Sequence, residues 1–447
     1  MRKVTLAWCS GAIFFSAVTS AALVGMFRRL GASTFTIGVL SAIPPAVMLI
    51  EPLSSYFVRR ATWRKRFFLS TAYPGRIVWI PLVMVGWLLP ESRLAIPIML
   101  ALVVVYRLSQ DISSPAWFAW IMEIVPADER GRFWGSRQSW GTLSGTVAAV
   151  LLGRYLGTSP PFEKFVVFFT IAAVCGWLDI FIHRGVHGVA VTPMPPEEQP
   201  SLRDVLTQPL RDPRFRPLVI FTFCFALAGQ LGGAMFQILL LEEIHLSYFE
   251  ISLFLSGVVG GLVVVSSRVW GRLMDNLHEG ERLVFYACTT LMGLVAFSWS
   301  MVPTRAHVPI ALVFVVAGIA TAGYQISNMN LVIAYSPPEA RASYMAVNIA
   351  MGGLGSMIGS MISGAAAQAF AGMSAAWGPF ILTPVRTLYL VAGTAQILCL
   401  PLLVRIRQPD SRPVRRYIGQ LFSLNPFDRR TWGYVRRKLG AATRQAR

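Results

Sequence analysis

Over 447 residues the chain is 55% hydrophobic and 14% charged, with a mean hydropathy of +0.57. A soluble domain carries about 25% charged residues, so this composition excludes water as the main solvent and points to a bilayer. The formal net charge is +19, with 40 Lys and Arg against 21 acids; such an excess suggests nucleic acid in a soluble protein, but here most basic residues fill short gaps between apolar runs, which is membrane topology.

A spanning helix needs about 20 mostly apolar residues. The first six such runs cover roughly 4–25, 35–57, 67–89, 94–118, 136–157 and 165–182. The first follows Arg2–Lys3 and is longer than a signal-peptide core, so it reads as an uncleaved span. The second six cover 217–241, 249–270, 283–302, 308–332, 343–370 and 385–404. No run shows sustained strand-like alternation, which argues against an outer-membrane barrel. The expectation is an all-α membrane protein of twelve transmembrane helices.

The proline-rich stretch TPMPPEEQP marks a loop between the two sets. The chain therefore divides into an N-terminal six-helix bundle (1–183), a central loop (184–216), a C-terminal six-helix bundle (217–404) and a basic tail (405–447). The halves resemble each other weakly. VPADERGRFWGSRQSWG (125–141) aligns with SPPEARASYMAVNIAMG (336–352) at an offset of 211, and STFTIGVL (33–40) aligns with SYFEISLF (247–254) at an offset of 214. A duplicated unit of this kind predicts two pseudo-symmetric bundles. With the N-terminus cytoplasmic, about 30 basic residues fall on the inner side, Arg137 among them, and about seven on the outer side. This asymmetry places both termini in the cytoplasm and the chain in a bacterial inner or plasma membrane. The tail could lie on anionic lipid or be a disordered topology signal.

Charges inside an apolar run are costly. In the fourth span Arg107, Gln110, Asp111 and Ser114 share one helical face by their i, i+3, i+4, i+7 spacing. Thr321, Gln325 and Asn328 do so in the tenth span, and Gln230 and Gln237 lie seven apart in the seventh. In the first span Ser16, Thr19 and Ser20 share a face. These stripes either line a cavity or join helices by hydrogen bonds. Arg107 and Asp111 are either a structural ion pair or a pair in which one partner is released to substrate or proton. Glu51, before Pro52 in the second span, has no basic residue within a turn. It is a candidate proton carrier with Asp111, unless Arg76, Arg107 or a gate arginine pairs with it. Asp179 and Arg76 read as structural. The five cysteines are well separated, and the His183/His187 pair is flanked by glycines, so no metal or redox site is expected. No GxxxxGK[ST] loop is present, so energy must come from a gradient or from the substrate itself. No cofactor is expected, and no nucleophile–base constellation suggests an enzyme.

Twelve spans in two halves resemble the major facilitator superfamily, over about residues 1–404. The second copy of its loop signature reads GRLMDNLHEGER and keeps Gly271 and Asp275; in the first, SSYFVRRATWRKR, Arg59 stands where Asp would. The fourth-span pattern R-x-x-Q-G is met by Arg107 and Gln110, with Asp111 in place of the final Gly. The fifth span lacks the Gly-Pro antiporter signature. The resemblance implies alternating access, with spans 1, 4, 7 and 10 around a central cavity, so that Thr19, Arg107, Gln110, Asp111, Ser114, Gln230, Gln237, Thr321, Gln325 and Asn328 line it. Arg59, Gly271, Asp275, Arg130 and Arg341 would form the gating loops. Glycines of spans 5 and 11 would face the opposite half. The implied function is a secondary transporter, a monomer in membrane lipid, moving a small polar or amphipathic solute. The alternatives are a lipid or lysolipid flippase and a non-transporting receptor or assembly factor.

Overall fold

The computed structural model describes residues 1–403 apart from 61, 127–128, 190–200, 277–279, 305, 338–339 and 378–379. TPMPPEEQP and the basic tail lie outside the described residues. Helices make up nearly all the regular structure. In order they are α1 (Arg2–Val18 and Ala21–Arg29), α2 (Thr34–Val58), α3 (Arg64–Leu88), α4 (Ala95–Ile124), α5 (Arg130–Leu156) and α6 (Phe162–Arg184). A short helix, Leu202–Arg211, precedes α7 (Arg216–Glu243), α8 (Tyr248–Met274), α9 (Gly280–Trp299), α10 (His307–Tyr335), α11 (Arg341–Ala369) and α12 (Pro384–Leu403). A small antiparallel hairpin pairs Ala375–Trp377 with Phe380–Leu382, which the hydropathy pattern did not anticipate.

The interruptions within these helices have local causes. α1 bends by 44° where Ser20 leaves helical geometry to cap the next segment, accepting from the Ala22 N–H at 3.2 Å. α2 breaks between Met48 and Glu51. Pro52 lacks an N–H and its ring crowds the carbonyl four residues back, which is that of Met48. Ser33 caps α2, and Ser247 with Glu250 forms a capping box at the start of α8. The chain is π-helical over Leu239–Glu243 and again over Leu253–Val259.

Ten of these helices, α2–α4 and α6–α12, are long and apolar enough to cross a membrane, and the bent α1 makes eleven among the described residues. α5 is the shortfall against the expected twelve. Its 27 residues reach about 40 Å at 1.5 Å per residue, but four arginines and a run of Gly, Ser and Thr lower its hydropathy.

α1 packs on α5 and α6, and α3 on α4; α7 packs on α11 and α12, and α9 on α10 and α12. Two seams join the halves: α2 against α11, and the start of α8 against α5. Under the sequence offsets α2 maps to α8 and α5 to α11, so each seam is the image of the other. Both are close. A Cβ on Gly38 would meet the Gly364 backbone at 2.5 Å, and one on Gly153 would meet the Tyr248 carbonyl oxygen at 2.7 Å. Gly353 also faces the opposite half, its Cβ position 2.7 Å from the Pro45 carbonyl oxygen of α2, but other glycines of α5 and α11 do not. Gly141 and Gly145 abut Trp8 and Ala12 of α1, and Gly355 and Gly359 abut α7. Only part of each helix reaches the seam, and the rest closes its own half.

The apolar core is distributed unevenly. One cluster draws on both halves, joining Phe27, Trp79 and Phe165 to Met235, Tyr248 and Phe314. It occupies the end where α1 finishes and α2 begins. At the opposite end the core is split. Phe68, Trp120 and Phe133 belong to one cluster, Phe215, Phe285 and Tyr344 to another.

Candidate functional site

The shared end is sealed by polar contacts as well. Arg28 grips Glu242 with two hydrogen bonds of 2.5 and 2.7 Å. Thr34 donates to Gln368 at 3.1 Å, Ser41 to the Ala234 carbonyl at 3.1 Å, and the Tyr248 N–H to the Gly157 carbonyl at 3.1 Å. Between Thr146 and the start of α5, α5 and α8 part into a groove of about 350 Å³, lined by Gln138, Ser139, Thr142, Ser256 and Gly257 among others. A wider recess of about 670 Å³ opens beside the start of α1, between it and α5.

α4 runs between these ends, and its polar stripe divides. Arg107 and Asp111 form the expected ion pair at 3.2 Å, each partly exposed. The Ser54 hydroxyl donates to the Ile112 carbonyl at 2.9 Å and ties α2 to α4. Glu51, one turn earlier on α2, thereby lies within electrostatic reach of Asp111. No ion pair to Glu51 is present among the described residues. The arginines considered as its partners are engaged elsewhere, Arg107 with Asp111 and Arg76 with Gln110 and Asp179.

Gln110 and Ser114 turn instead into a chamber of about 260 Å³ enclosed by α1, α3, α4, α5 and α6. Arg76 and Arg137 face it, 4% and 7% exposed. Arg76 donates to Gln110 Oε1 at 2.8 Å and approaches Asp179 at 3.5 Å. Its guanidinium lies over Phe14 and Phe15. Arg137 sits between the rings of Trp8 and Trp117 at 4.0 and 4.4 Å, with Trp134 at 5.5 Å. The Trp117 indole donates to His183 Nε2 at 2.9 Å, and His183 Nδ1 reaches the Asp179 carbonyl at 2.8 Å. Asp179 is buried in the chamber wall, against Arg76 and His183.

The C-terminal stripe carries no charge. Gln325 is exposed on α10, with Thr321 and Asn328 partly buried. Asn328 Oδ1 and Gln237 Oε1 are buried without a hydrogen-bond partner. Gln230 packs beside Gly359 on the α7–α11 contact. Thr19 spends its hydroxyl on its own helix, donating to the Phe15 carbonyl at 2.7 Å. No hydrogen bond links this stripe to the one on α4 among the described residues.

Of the expected gating residues, Arg130 caps the end of α4 through the Met122 and Val125 carbonyls at 3.0 and 3.3 Å. Arg341 opens α11 and Gly271 lies within α8. Arg59 and Asp275 fall on the helices Glu51–Arg60 and Gly260–Asn276; their side chains lie outside the described residues. Among the described residues no cluster of three or more His, Cys, Asp or Glu could hold a metal.

Reading by composition missed the chamber. Arg137 counted toward the inner basic excess as a loop residue; it is a buried residue of α5. The available signal was Trp8, Trp117 and Trp134 together with an arginine at the mouth of an apolar run. Which of them meet is a matter of packing between three helices.

Residues 4–304 and 218–441 match the family model of the Major Facilitator Superfamily. No curated protein matches the sequence. Among solved structures the chain is similar to the nucleoside transporter NupG, at TM-score 0.71 and 14% identity over 91% of this chain and 99% of that one. It is also similar to a POT family transporter crystallised with 5-aminolevulinic acid, at TM-score 0.69 and 13% identity over 90% and 94% of the two chains. A third similarity is to a bacterial homologue of the human lysosomal transporter Spinster, at TM-score 0.62 and 15% identity over 90% and 93%. At these identities the likeness is one of fold.

Proposed function

The chain belongs to the Major Facilitator Superfamily, and on that premise we propose that it is a secondary transporter working by alternating access. In this reading α5 completes a set of twelve spans, 1–183 and 217–404 are two six-helix bundles, 184–216 is the cytoplasmic connection, and 405–447 is a basic cytoplasmic tail. The observation that carries it is the division of the core, shared at one end and separate at the other. A pair of bundles fused at one end and parted at the other is half of a rocking cycle. The basic-residue asymmetry makes the parted end cytoplasmic and the membrane that of the bacterial cytoplasm.

The polar face of α4 and the Thr321–Gln325–Asn328 face of α10 are the walls of the solute path, with Gln230, Gln237 and Thr19 lesser contributors. The cargo is a small polar or amphipathic solute. Glu51 and Asp111 are the proton-coupling pair. Asp111 has Arg107 as its counter-ion, whereas Glu51 has no ion pair among the described residues; a carboxylate left uncompensated is relieved by protonation.

Spin labels test the cycle without knowledge of the solute. With native cysteines replaced by serine, one label pair sits at Gln138 and Val264 across the groove, another at Tyr155 and Phe249 across the seal. Between pH 8 and pH 5 in liposomes, one distance should lengthen as the other shortens. Glu51→Gln should abolish this response to pH. Two fixed distances across that range would overturn the reading.

A second reading, passage of lipid, draws on the α5–α8 groove, whose hydroxyl and amide lining suits a polar headgroup. Dithionite quenching of a fluorescent phospholipid in proteoliposomes decides it. Bleaching that stops at the outer leaflet rejects lipid passage.

A further inference from the structure

The chamber inside the N-terminal half is not electrically balanced. Two guanidiniums face it, Arg76 from α3 and Arg137 from α5, against one carboxylate, Asp179 from α6. α1 and α4 contribute only aromatic and neutral polar side chains. His183 lies beside the same carboxylate, its Nδ1 3.2 Å from Asp179 Oδ1 and its Nε2 2.9 Å from the Trp117 indole nitrogen. On the neighbouring face of α4, Arg107 and Asp111 compensate each other. Asp179 lies 3.5 Å from Arg76, which leaves Arg137 without an ion pair among the described residues.

Indole faces attract the Arg137 cation but accept none of its five N–H donors in the plane of the fork. The Nε atoms of both arginines are buried with no hydrogen-bond acceptor. A buried charge without a hydrogen-bonded counter-ion is unfavourable. The cavity beside it, about 260 Å³, far exceeds the roughly 30 Å³ share of one water, so it has room for more than a lone inorganic ion. A planar carboxylate matches a guanidinium fork, and a flat apolar body would lie against Trp8, Trp117 and Phe15. The Ser114 hydroxyl, which makes no hydrogen bond among the described residues, offers a further donor at the rim.

The geometry points to this chamber as a binding site for a small organic monocarboxylate, one negative charge held by Arg137 and a ring-sized apolar body held by the indoles. It is a claim about binding and stands apart from the transport cycle: a chain that binds as described but shows no rocking separates the two.

The test uses the full chain in detergent, titrated calorimetrically with sodium benzoate and with benzamide, its neutral isostere, while tryptophan fluorescence reports on Trp8 and Trp117. Benzoate should bind saturably in the micromolar-to-millimolar range and benzamide at least tenfold more weakly. Arg137→Gln should weaken benzoate at least tenfold. Ser114→Leu, which narrows the chamber and leaves every charge in place, should do the same. Equal affinity for the two probes, or no saturable benzoate binding, overturns the site. If Arg137→Gln fails to fold, Ser114→Leu decides, and undiminished benzoate binding in that variant overturns the site equally.

Discussion

The two halves are built on one plan and filled differently. The offset of 211 carries Arg137 to Asn348, and the offset of 214 carries Trp8 to Thr222. In the N-terminal half this pair is a cation on an indole face, 4.0 Å apart. In the C-terminal half it is a hydrogen bond, Thr222 donating to Asn348 Oδ1 at 3.0 Å. The same offset of 214 takes Arg107, Asp111 and Ser114 to Thr321, Gln325 and Asn328. Positions that are charged in the N-terminal half are thus neutral at their equivalents in the C-terminal half. In the C-terminal half rings stack on one another between α7, α9 and α10, Phe221 on Phe225 and Tyr324 on Phe225 and Phe285. The N-terminal half keeps a chamber. Buried charge needs partners with exact positions, and the packing that positions them leaves space; neutral polar pairs tolerate close packing around them.

Substitutions should divide along this line. The largest effect is expected for Asp179→Ala, which leaves Arg76 and Arg137 buried with no carboxylate; breaking a buried pair costs about 3–5 kcal/mol, read as a fall in thermal unfolding temperature in detergent. Next is Gly38→Val. Its side chain would enter the Gly364 backbone on the α2–α11 seam, and overpacking costs about 1–3 kcal/mol. The same measurement, with the spin-label distance across the seal, should show that end opened. Asn348→Leu strands the buried Thr222 hydroxyl at about 1–3 kcal/mol, whereas adding Thr222→Val should recover most of that loss. No such rescue is expected for any neutral pair replacing Arg137 and Asp179, because Arg76 and His183 remain. The smallest effect on stability belongs to Arg28→Ala. Its pair with Glu242 is about one-third exposed, and such pairs contribute about 0–1 kcal/mol. It should still raise the population open at the sealed end, more at low ionic strength than at high.

Much of the fold was legible because bilayer helices follow hydropathy and length alone. Ten expected spans appear as helices that pass the same test. The exceptions have identifiable causes. α1 is broken by a serine cap, which a mostly apolar first run conceals. α4 runs through Pro115 to Ile124, six residues past the expected end, because the Ala–Trp-rich continuation stays helical beyond the hydrocarbon-length window. α5 falls below the others in hydropathy because much of its surface meets α1 and α8 rather than lipid.

The candidate site was half legible. Spacing placed Arg107 and Asp111 on one turn, and their contact is a property of one helix. Glu51 comes near Asp111 only because Ser54 ties α2 to α4.

The sequence by itself determined that this chain lives in a bilayer, that two of its segments recur at offsets of 211 and 214, and which turns of α4 and α10 are polar. Those follow from period, length and charge along a single strand of text. The tertiary structure alone decided which polar residues meet. Gln110 and Asp111 are neighbours in sequence, yet one meets Arg76 in the chamber and the other pairs with Arg107. A 100° rotation per residue sends adjacent side chains to different neighbours, and which neighbour lies in each direction is set by how five helices pack.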